Sequence, residues 1–279
     1  MAQRHHHHHP ESSTVTARRP ELSQHFLRDR RLARALVGGM RLPRGSLVLE
    51  VGPGRGIITE ALADAGFRVI AVEKDVRLFR SLRARFIGRT NVECHHADFL
   101  SFRAPARPHA VVSSVPYGIT SAVVRRVLES AATDALLIVQ REAAWKFAGH
   151  PSETLFSLLH KPWYQITIAR TLRRSDFAPP PSVESALLRV HRRARPLVAP
   201  AEAADYRAFV RDCFGAPTMR AALGGRFTWR QIARLSRDLR FSRDARPSRL
   251  TFPQWLALFR FFEHICHEHR RARWPDTGM

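Results

Sequence analysis

Short apolar segments alternate with helix-length amphipathic segments along the first half of the chain, and this alternation limits the fold more than any other feature. Strands that are buried on both faces read as continuous apolar runs, whereas the helices between them carry one apolar stripe. The pattern therefore predicts an α/β fold with a parallel sheet and helices on both faces. The five predicted strands are Leu47–Val51, Phe67–Val72, Val92–His95, Ala110–Ser113 and Ala135–Val139.

The same pattern divides the chain into three parts. Residues 1–20 are polar and rich in histidine, and we expect them to form a disordered basic arm. Residues 21–195 carry the α/β pattern, and residues 196–279 are predicted to form a small all-α domain. Further strands are predicted at Gln165–Leu172 and Ser185–His191, and helices at Asp29–Met40, Ile57–Gly66, Arg77–Ile87, Thr120–Ala131, Ala203–Phe214, Met219–Leu223, Trp229–Leu239 and Phe252–His267.

A glycine-rich turn follows the first of the five strands. Gly52, Gly54 and Gly56 alternate with other residues, and such a turn lets backbone N–H groups approach a ligand closely. A dinucleotide fingerprint needs its third glycine one residue later, where this chain has Ile57, so the spacing disfavours NAD. The shorter spacing suits S-adenosylmethionine, although a plain tight turn is the alternative.

Acidic residues follow the next two strands. Glu73 ends the second strand, where a carboxylate can accept both ribose hydroxyls of an adenosine. Asp98 follows the third strand with Phe99 beside it, a pair that can accept an adenine amine and cover the face of the ring. A solvated charge at Glu73 and a turn or N-cap role for Asp98 are the alternatives.

The fourth strand ends in Ser114, Val115, Pro116 and Tyr117. Proline ends the strand sharply, and tyrosine can stack on a planar base. A serine hydroxyl and a backbone carbonyl can accept the two hydrogens of an amine. In isolation, the same four residues also describe an ordinary turn from a strand to a loop.

A large positive charge indicates a polyanionic partner. The chain has 46 Lys and Arg against 24 Asp and Glu, which gives a net charge of +22. Only three of the 46 are lysine, a bias that also occurs with G+C-rich codons. Codon bias explains the choice of arginine over lysine, but it does not explain the size of the charge. Nucleic acid or an anionic membrane is the partner class that such a surface favours.

Other features of the sequence bear on location and assembly. No apolar run is long enough for a transmembrane helix, so no segment is expected to span a membrane. The cysteines Cys94, Cys213 and Cys266 are odd in number and widely spaced, which favours a reducing cytoplasm and disfavours a disulfide framework or a metal site. No heptad pattern is visible, so a monomer is expected.

Five motifs resemble, in the same order, those of the ribosomal RNA adenine N6-methyltransferases, and the resemblance runs from about residue 22 to 262. Together they are far more specific than any one alone. The segments are Leu22–Leu27 (Q-[NH]-F-L), Glu50–Gly56 (E-[IV]-G-x-G-x-G), Ser114–Tyr117 (N-[ILV]-P-[YF]), Phe177–Ser185 (F-x-P-x-P-x-V-x-S) and Gln254–Phe259 (the closing helix).

The resemblance implies a Rossmann-like class I methyltransferase sheet, S-adenosylmethionine as the cofactor and an rRNA adenine as the target. It implies that three N-terminal residues close over the cofactor at the entrance, namely Gln24, His25 and Leu27. Cofactor binding is implied for Gly52, Gly54, Gly56, Glu73, Asp98, Phe99 and Ser114. Target binding is implied for Ser114, the Val115 carbonyl, Pro116, Tyr117 and Phe177, with the two aromatic rings on either face of the adenine.

Within this family the chain is most similar to the Erm group, which methylates 23S rRNA, as naked or precursor RNA, and confers macrolide, lincosamide and streptogramin B resistance. The 16S rRNA dimethyltransferases share nearly all the motifs and are the main alternative. Ser114 departs from the usual Asn or Asp, and the shorter side chain predicts weaker catalysis or mainly monomethylation. It also keeps open a non-catalytic rRNA-binding factor on the same fold.

Overall fold

The computed structural model describes residues 25–273, and the side chains of residues 25–266. The predicted arm at residues 1–20 and the predicted entrance residue Gln24 lie outside the described residues. The strands are β1 (Phe26–Leu27), β2 (Leu47–Val51), β3 (Arg68–Glu73), β4 (Val92–His96), β5 (His109–Ser114), β6 (Ala132–Gln140), β7 (Tyr164–Leu172), β8 (Phe177–Ala178) and β9 (Ser185–Arg192).

Helices cover the sheet and fill the C-terminal part of the chain. Those before residue 161 are α1 (Arg30–Gly38), α2 (Ile57–Asp64), α3 (Val76–Arg85), α4 (Thr120–Glu129), α5 (Arg141–Ala148) and α6 (Leu155–His160). The later helices are α7 (Ala203–Phe214), α8 (Met219–Leu223), α9 (Trp229–Asp238) and α10 (Phe252–Arg273). Helix α1 begins at Arg30, and the carboxylate of Asp29, its N-cap, accepts the Arg31 N–H at 2.7 Å.

Seven strands form one sheet in the order β4-β3-β2-β5-β6-β9-β7. The strands from β2 to β6 run parallel to one another, as the alternating pattern predicts. Strand β9 alone is reversed: it runs antiparallel to both β6 and β7, a direction that the sequence pattern does not predict. No covering helix separates β7 from β9, and without a crossover helix two neighbouring strands pair antiparallel.

The central strands of the sheet are buried on both faces. Every residue of β2 is buried, and alternate side chains belong to different clusters: Val48 packs under α1 and α2, whereas Leu49 and Val51 pack under α4 and α5. This double burial explains why β2 reads as a continuous apolar run in the sequence. The predicted and observed bounds of β2 are the same.

The C-terminal helices have their own core. It is built around large aromatic side chains that exclude water, including the fully buried Trp255 and Tyr206. Leu158 of α6 packs into this core, and its carbonyl accepts the Tyr206 hydroxyl at 2.9 Å. The strands end at Arg192, so the chain beyond is helical as predicted. No helix within residues 25–273 is long and apolar enough to span a bilayer.

Candidate active site

An open cleft lies at the carboxyl ends of β2, β3, β4 and β5. Its volume is about 1280 Å³, a figure that includes the solvent at its mouth. The position is the one expected for a ligand site of an open α/β sheet. Its walls contain these residues singled out from the sequence: His25, Leu27, Gly52, Gly54, Glu73, Asp98, Phe99, Ser114, Val115, Pro116, Tyr117 and Phe177.

The glycine turn between β2 and α2 requires left-handed backbone. Gly52, Gly54 and Gly56 have φ of 65°, 57° and 75°, a region that other residues enter at a cost. A Cβ on Gly54 would lie 2.5 Å from the Phe26 ring, so the turn and the strand β1 touch directly there. Gly56 does not line the cleft: a Cβ on it would meet Leu82 at 2.8 Å, on the side of α3.

The Glu73 carboxylate is buried at the end of β3 and holds the glycine turn. One of its oxygens accepts the Gly54 N–H at 3.0 Å, and the other accepts the Asp75 N–H at 2.9 Å. Each carboxylate oxygen has two lone pairs, so each keeps one acceptor position. The group can therefore organise the turn and still accept two hydroxyls of a ligand.

Asp98 lies two residues beyond β4, lines the cleft and makes the turn that the sequence offered as the alternative to a ligand role. One oxygen accepts the Leu100 N–H at 2.9 Å, which makes a turn, and the other accepts Lys74 Nζ at 2.7 Å. The Lys74 ammonium holds the pKa of this carboxyl below its usual range. Phe99, which is buried, lines the cleft beside it. Sequence reasoning missed Lys74, which follows Glu73 directly.

The loop after β5 carries the predicted amine acceptors. Val115 is buried, and its N–H donates to the Ile138 carbonyl at 3.0 Å, which fixes the loop against β6. Ser114 is partly exposed and faces the cleft. The Ser114 hydroxyl and the Val115 carbonyl are neighbours in the chain at the cleft wall, where they can accept hydrogens from an amine.

The Tyr117 ring is held from two sides. Its hydroxyl lies 2.8 Å from Oγ of Ser185, which is fully buried, and its ring centroid lies 5.4 Å from that of His25 at 36°. Burial raises the pKa of the Tyr117 phenol, so the ring stays neutral at physiological pH. Both residues lie in motifs of the sequence, but nothing in the sequence predicts that Ser185 is a partner of Tyr117.

A two-stranded sheet joins the entrance to the loop that contains Phe177. Strand β1 pairs antiparallel with β8, so that Leu27 faces Phe177 across the ladder. Nδ1 of His25 lies 2.9 Å from the Pro179 carbonyl and continues the contact. Only 1% of the Phe177 surface is exposed, so its ring supports the cleft wall rather than offering a free face.

Glu50 is buried in β2 behind the glycine turn. It is 1% exposed, and its Oε2 has no hydrogen-bond partner among the described residues. Burial, together with the nearby Glu73 charge, raises the pKa of Glu50 to about 8. The carboxyl is therefore mostly protonated at neutral pH. The described residues contain no group of three or more His, Cys, Asp or Glu placed to hold a metal ion.

Both the sequence and the fold are similar to those of known proteins over most of the chain. The ribosomal RNA adenine dimethylase family matches residues 15–232. A mycinamicin-resistance protein of Micromonospora griseorubida is 32% identical over 94% of this chain and 85% of its own length. A ribosomal RNA small subunit methyltransferase A of Synechococcus is 33% identical over 86% of this chain and 91% of its own length. The crystal structure of the 23S rRNA methyltransferase ErmE covers 85% of this chain and 99% of its own, at 33% identity and a TM-score of 0.81.

Proposed function

The chain belongs to the ribosomal RNA adenine dimethylase family, and from its membership we propose that it methylates N6 of one adenine in 23S rRNA and so confers resistance to macrolides, lincosamides and streptogramin B. The activity of the family is the S-adenosylmethionine-dependent methylation of an rRNA adenine. The specific target and the resistance are the proposal. The observation that supports them most is the similarity to the 23S rRNA methyltransferase ErmE over nearly its whole length.

A second candidate is dimethylation of 16S rRNA, because the small-subunit methyltransferase of Synechococcus is as similar in sequence as the mycinamicin-resistance protein. Sequence identity therefore does not separate the two targets. Tertiary structure favours the 23S enzyme, since the fold agrees closely at a TM-score of 0.81. A non-catalytic rRNA-binding factor is the third candidate, and a methyl-transfer assay decides it.

The residues of the cleft fit S-adenosylmethionine. Gly52 and Gly54 line the cleft without a side chain, so the backbone there is open to an amino-acid group, and the Glu73 carboxylate keeps two acceptor positions for ribose hydroxyls. When bound, this cofactor supplies an electrophilic methyl group on a sulfonium. We assign the turn, Glu73, Asp98 and Phe99 to cofactor binding, with His25 and Leu27 at the entrance.

Asp98 makes the adenine end of this site specific. Its carboxylate stays ionised beside Lys74, so it accepts hydrogen bonds and does not donate them. An adenine amine is a donor and suits such an acceptor, whereas a carbonyl oxygen at the same place would be repelled. Phe99 supplies the apolar wall that a planar base requires.

The target adenine is bound on the other side of the cleft. We assign Ser114 and the Val115 carbonyl to its N6 hydrogens and the Tyr117 ring to its face, with Pro116 fixing the loop and Phe177 supporting the wall behind it. A base within a helix does not reach such a cleft, so the adenine must be unstacked first. The Tyr117 ring compensates part of that loss by stacking.

The amine needs no strong base at the start of the reaction. The N6 lone pair is delocalised into the ring, and two acceptors on its hydrogens favour a pyramidal nitrogen with the lone pair available for attack. Ser114 and the Val115 carbonyl accept these hydrogens, and positioning contributes most of the rate. After transfer the proton can leave to water. Tyr117, which stays neutral, orients the base and takes no proton.

The proposal also covers the roles of the two domains, the state of the substrate RNA, and the oligomeric state and location of the protein. We assign methyl transfer to residues 21–195 and part of the RNA contact to the helices of residues 196–279. The substrate is proposed to be naked or precursor rRNA, because the target must be unstacked to enter the cleft. The protein is proposed to act as a monomer in the cytoplasm.

The test is methyl transfer from labelled S-adenosylmethionine to protein-free 23S and 16S rRNA, each offered alone, with mass analysis of the nucleosides. We expect N6-methyl or N6,N6-dimethyladenosine in 23S rRNA. Label in 16S rRNA alone would reassign the protein to the small-subunit group. Cofactor binding without transfer to either RNA would support the non-catalytic candidate.

A further inference from the structure

Helix α9 begins with a tryptophan that is largely in water. Trp229 is 68% exposed, whereas Trp255 is fully buried and Trp145 and Trp163 are partly buried, so it is the one exposed tryptophan among the described side chains. A large aromatic ring on the surface is a common anchor of intermolecular contacts. The methyl-transfer cleft does not include it.

The ring is held in place before any partner arrives. Thr228 caps the helix: its Oγ accepts the Gln231 N–H at 3.3 Å, and its own N–H donates to Gln231 Oε1 at 2.8 Å. The Arg243 guanidinium lies over the Trp229 ring, 5.9 Å from its centroid. Because the ring is still mostly exposed, area remains on it for a second planar group.

The surroundings of the ring are strongly positive. Residues 226–250 contain eight arginines and only two acidic residues. Arg230, Arg234 and Arg237 are exposed and follow one another at i, i+4 and i+7, which places them on one side of α9. Ile232 and Leu235, which are buried, lie on the opposite side. The helix thus carries a stripe of guanidinium groups beside the tryptophan.

The two acidic residues of this segment do not cancel the stripe. Asp238 lies 3.4 Å from Arg234 and 4.0 Å from Arg237, and Asp244 lies 3.1 Å from Arg220. All of these groups are exposed, and such surface pairs open easily to other anions. The arginines are therefore available to phosphates.

We propose that Trp229, Arg230, Arg237 and Arg243 form an RNA-docking surface, here called the α9 face, on which Trp229 stacks on an unpaired base. The arginines hold the phosphates on either side. RNA fits because it offers planar bases and evenly spaced anions together. A membrane would need a broader apolar face than one ring. The inference rests on the proposed function, since it assigns part of the rRNA contact to the C-terminal helices.

The test compares variants in RNA binding, which does not depend on methyl transfer. The probes are a protein-free 23S rRNA transcript and a fully paired RNA duplex of the same length. We expect Trp229→Ala to weaken transcript binding about tenfold and Trp229→Phe to retain most of it, because every aromatic ring can stack on a base. Duplex binding should be unchanged, since a duplex offers no free base.

Charge and folding are controlled separately. Trp229→Ala removes no charge, so it should leave the salt dependence of binding unchanged, whereas Arg237→Ala should lower the salt slope by about one phosphate contact. Ile87→Ala, which removes another exposed apolar side chain far along the sequence, should bind as wild type. Unchanged circular dichroism melting of Trp229→Ala would confirm that folding is intact.

Two results would overturn the inference. One is transcript binding by Trp229→Ala that equals wild type. The other is a wild-type dimer in sedimentation that Trp229→Ala dissociates, which would assign the ring to a second copy of the chain. Failure of the proposed function looks different: wild type would then methylate no 23S rRNA, while the contrast between transcript and duplex binding would still report on Trp229.

Discussion

Contact between the glycine turn and strand β1 predicts a large difference between two neighbouring Gly→Ala substitutions. Gly52 and Gly54 have φ of 65° and 57°, so alanine costs about 1–2 kcal/mol at either position. A Cβ on Gly52 meets nothing within 4 Å. A Cβ on Gly54 lies 2.5 and 2.6 Å from two ring carbons of Phe26, and that ring must shift by about 1 Å to reach ordinary contact distance.

Two contacts hold Phe26 in place, so a shift of its ring costs free energy. Its backbone pairs with Ala178 in the small sheet, and the Arg55 guanidinium lies 5.2 Å from its centroid. Overpacking of this kind costs about 1–3 kcal/mol. We therefore expect Gly54→Ala to lower the free energy of unfolding by about 2–5 kcal/mol in total. Gly52→Ala, the matched control, should lower it by only about 1–2 kcal/mol.

The assay is urea unfolding of the ligand-free protein, because both alanines would also disturb a bound cofactor. A double-mutant cycle with Phe26→Ala isolates the contact. In the Phe26→Ala background, Gly54→Ala should cost no more than Gly52→Ala does in wild type. Equal destabilisation by the two glycine variants in wild type, or an unchanged excess for Gly54→Ala without the ring, would refute the contact.

Three further outcomes are expected. Glu50 keeps its proton to about pH 8 when folded but ionises near pH 4.5 when unfolded, so wild-type stability falls by up to about 1.4 kcal/mol per pH unit across that window. The unfolding free energy of Glu50→Gln relative to wild type should rise from pH 5 to 8, and a flat difference would contradict this. Ser185→Ala and Tyr117→Phe remove the same hydrogen bond and should lower kcat/KM equally, by about tenfold, with no further loss in the double variant. Ser114→Asn should speed transfer about thirtyfold or more and raise the dimethyl share, since a longer acceptor strengthens the hydrogen bond to N6 by about 2–4 kcal/mol; an unchanged rate and product ratio would refute this.

The centre of the sheet was predictable because its strands are buried on both faces. Strand β2 and the glycine turn after it follow directly from a continuous apolar run and a spacing of glycines. The antiparallel direction of β9 against β6 could not be predicted from the sequence, since apolar periodicity does not show in which direction a strand runs. The helix α5 went unpredicted even though Gly149, at φ 68°, marks its end as a C-terminal glycine often does.

Long-range contacts account for most of what the sequence could not show about the cleft. Strand β1 is two residues long and exists because Phe26 pairs with Ala178, more than 150 positions away. Lys74 reaches Asp98 only because parallel pairing of β3 and β4 brings their ends together. The spacing of Gly56 predicts a ligand-binding residue, but Leu82 of α3 and Phe86 at the end of that helix fill the space beside it.

The most direct test of the account is the identity of the methylated RNA. Purified protein, labelled S-adenosylmethionine and protein-free rRNA are sufficient, and expression in macrolide-sensitive bacteria supplies the cellular readout. We expect N6-methylated adenosine at one position of 23S rRNA and growth in the presence of macrolides. Methylation confined to 16S rRNA, with no gain in macrolide resistance, would contradict it.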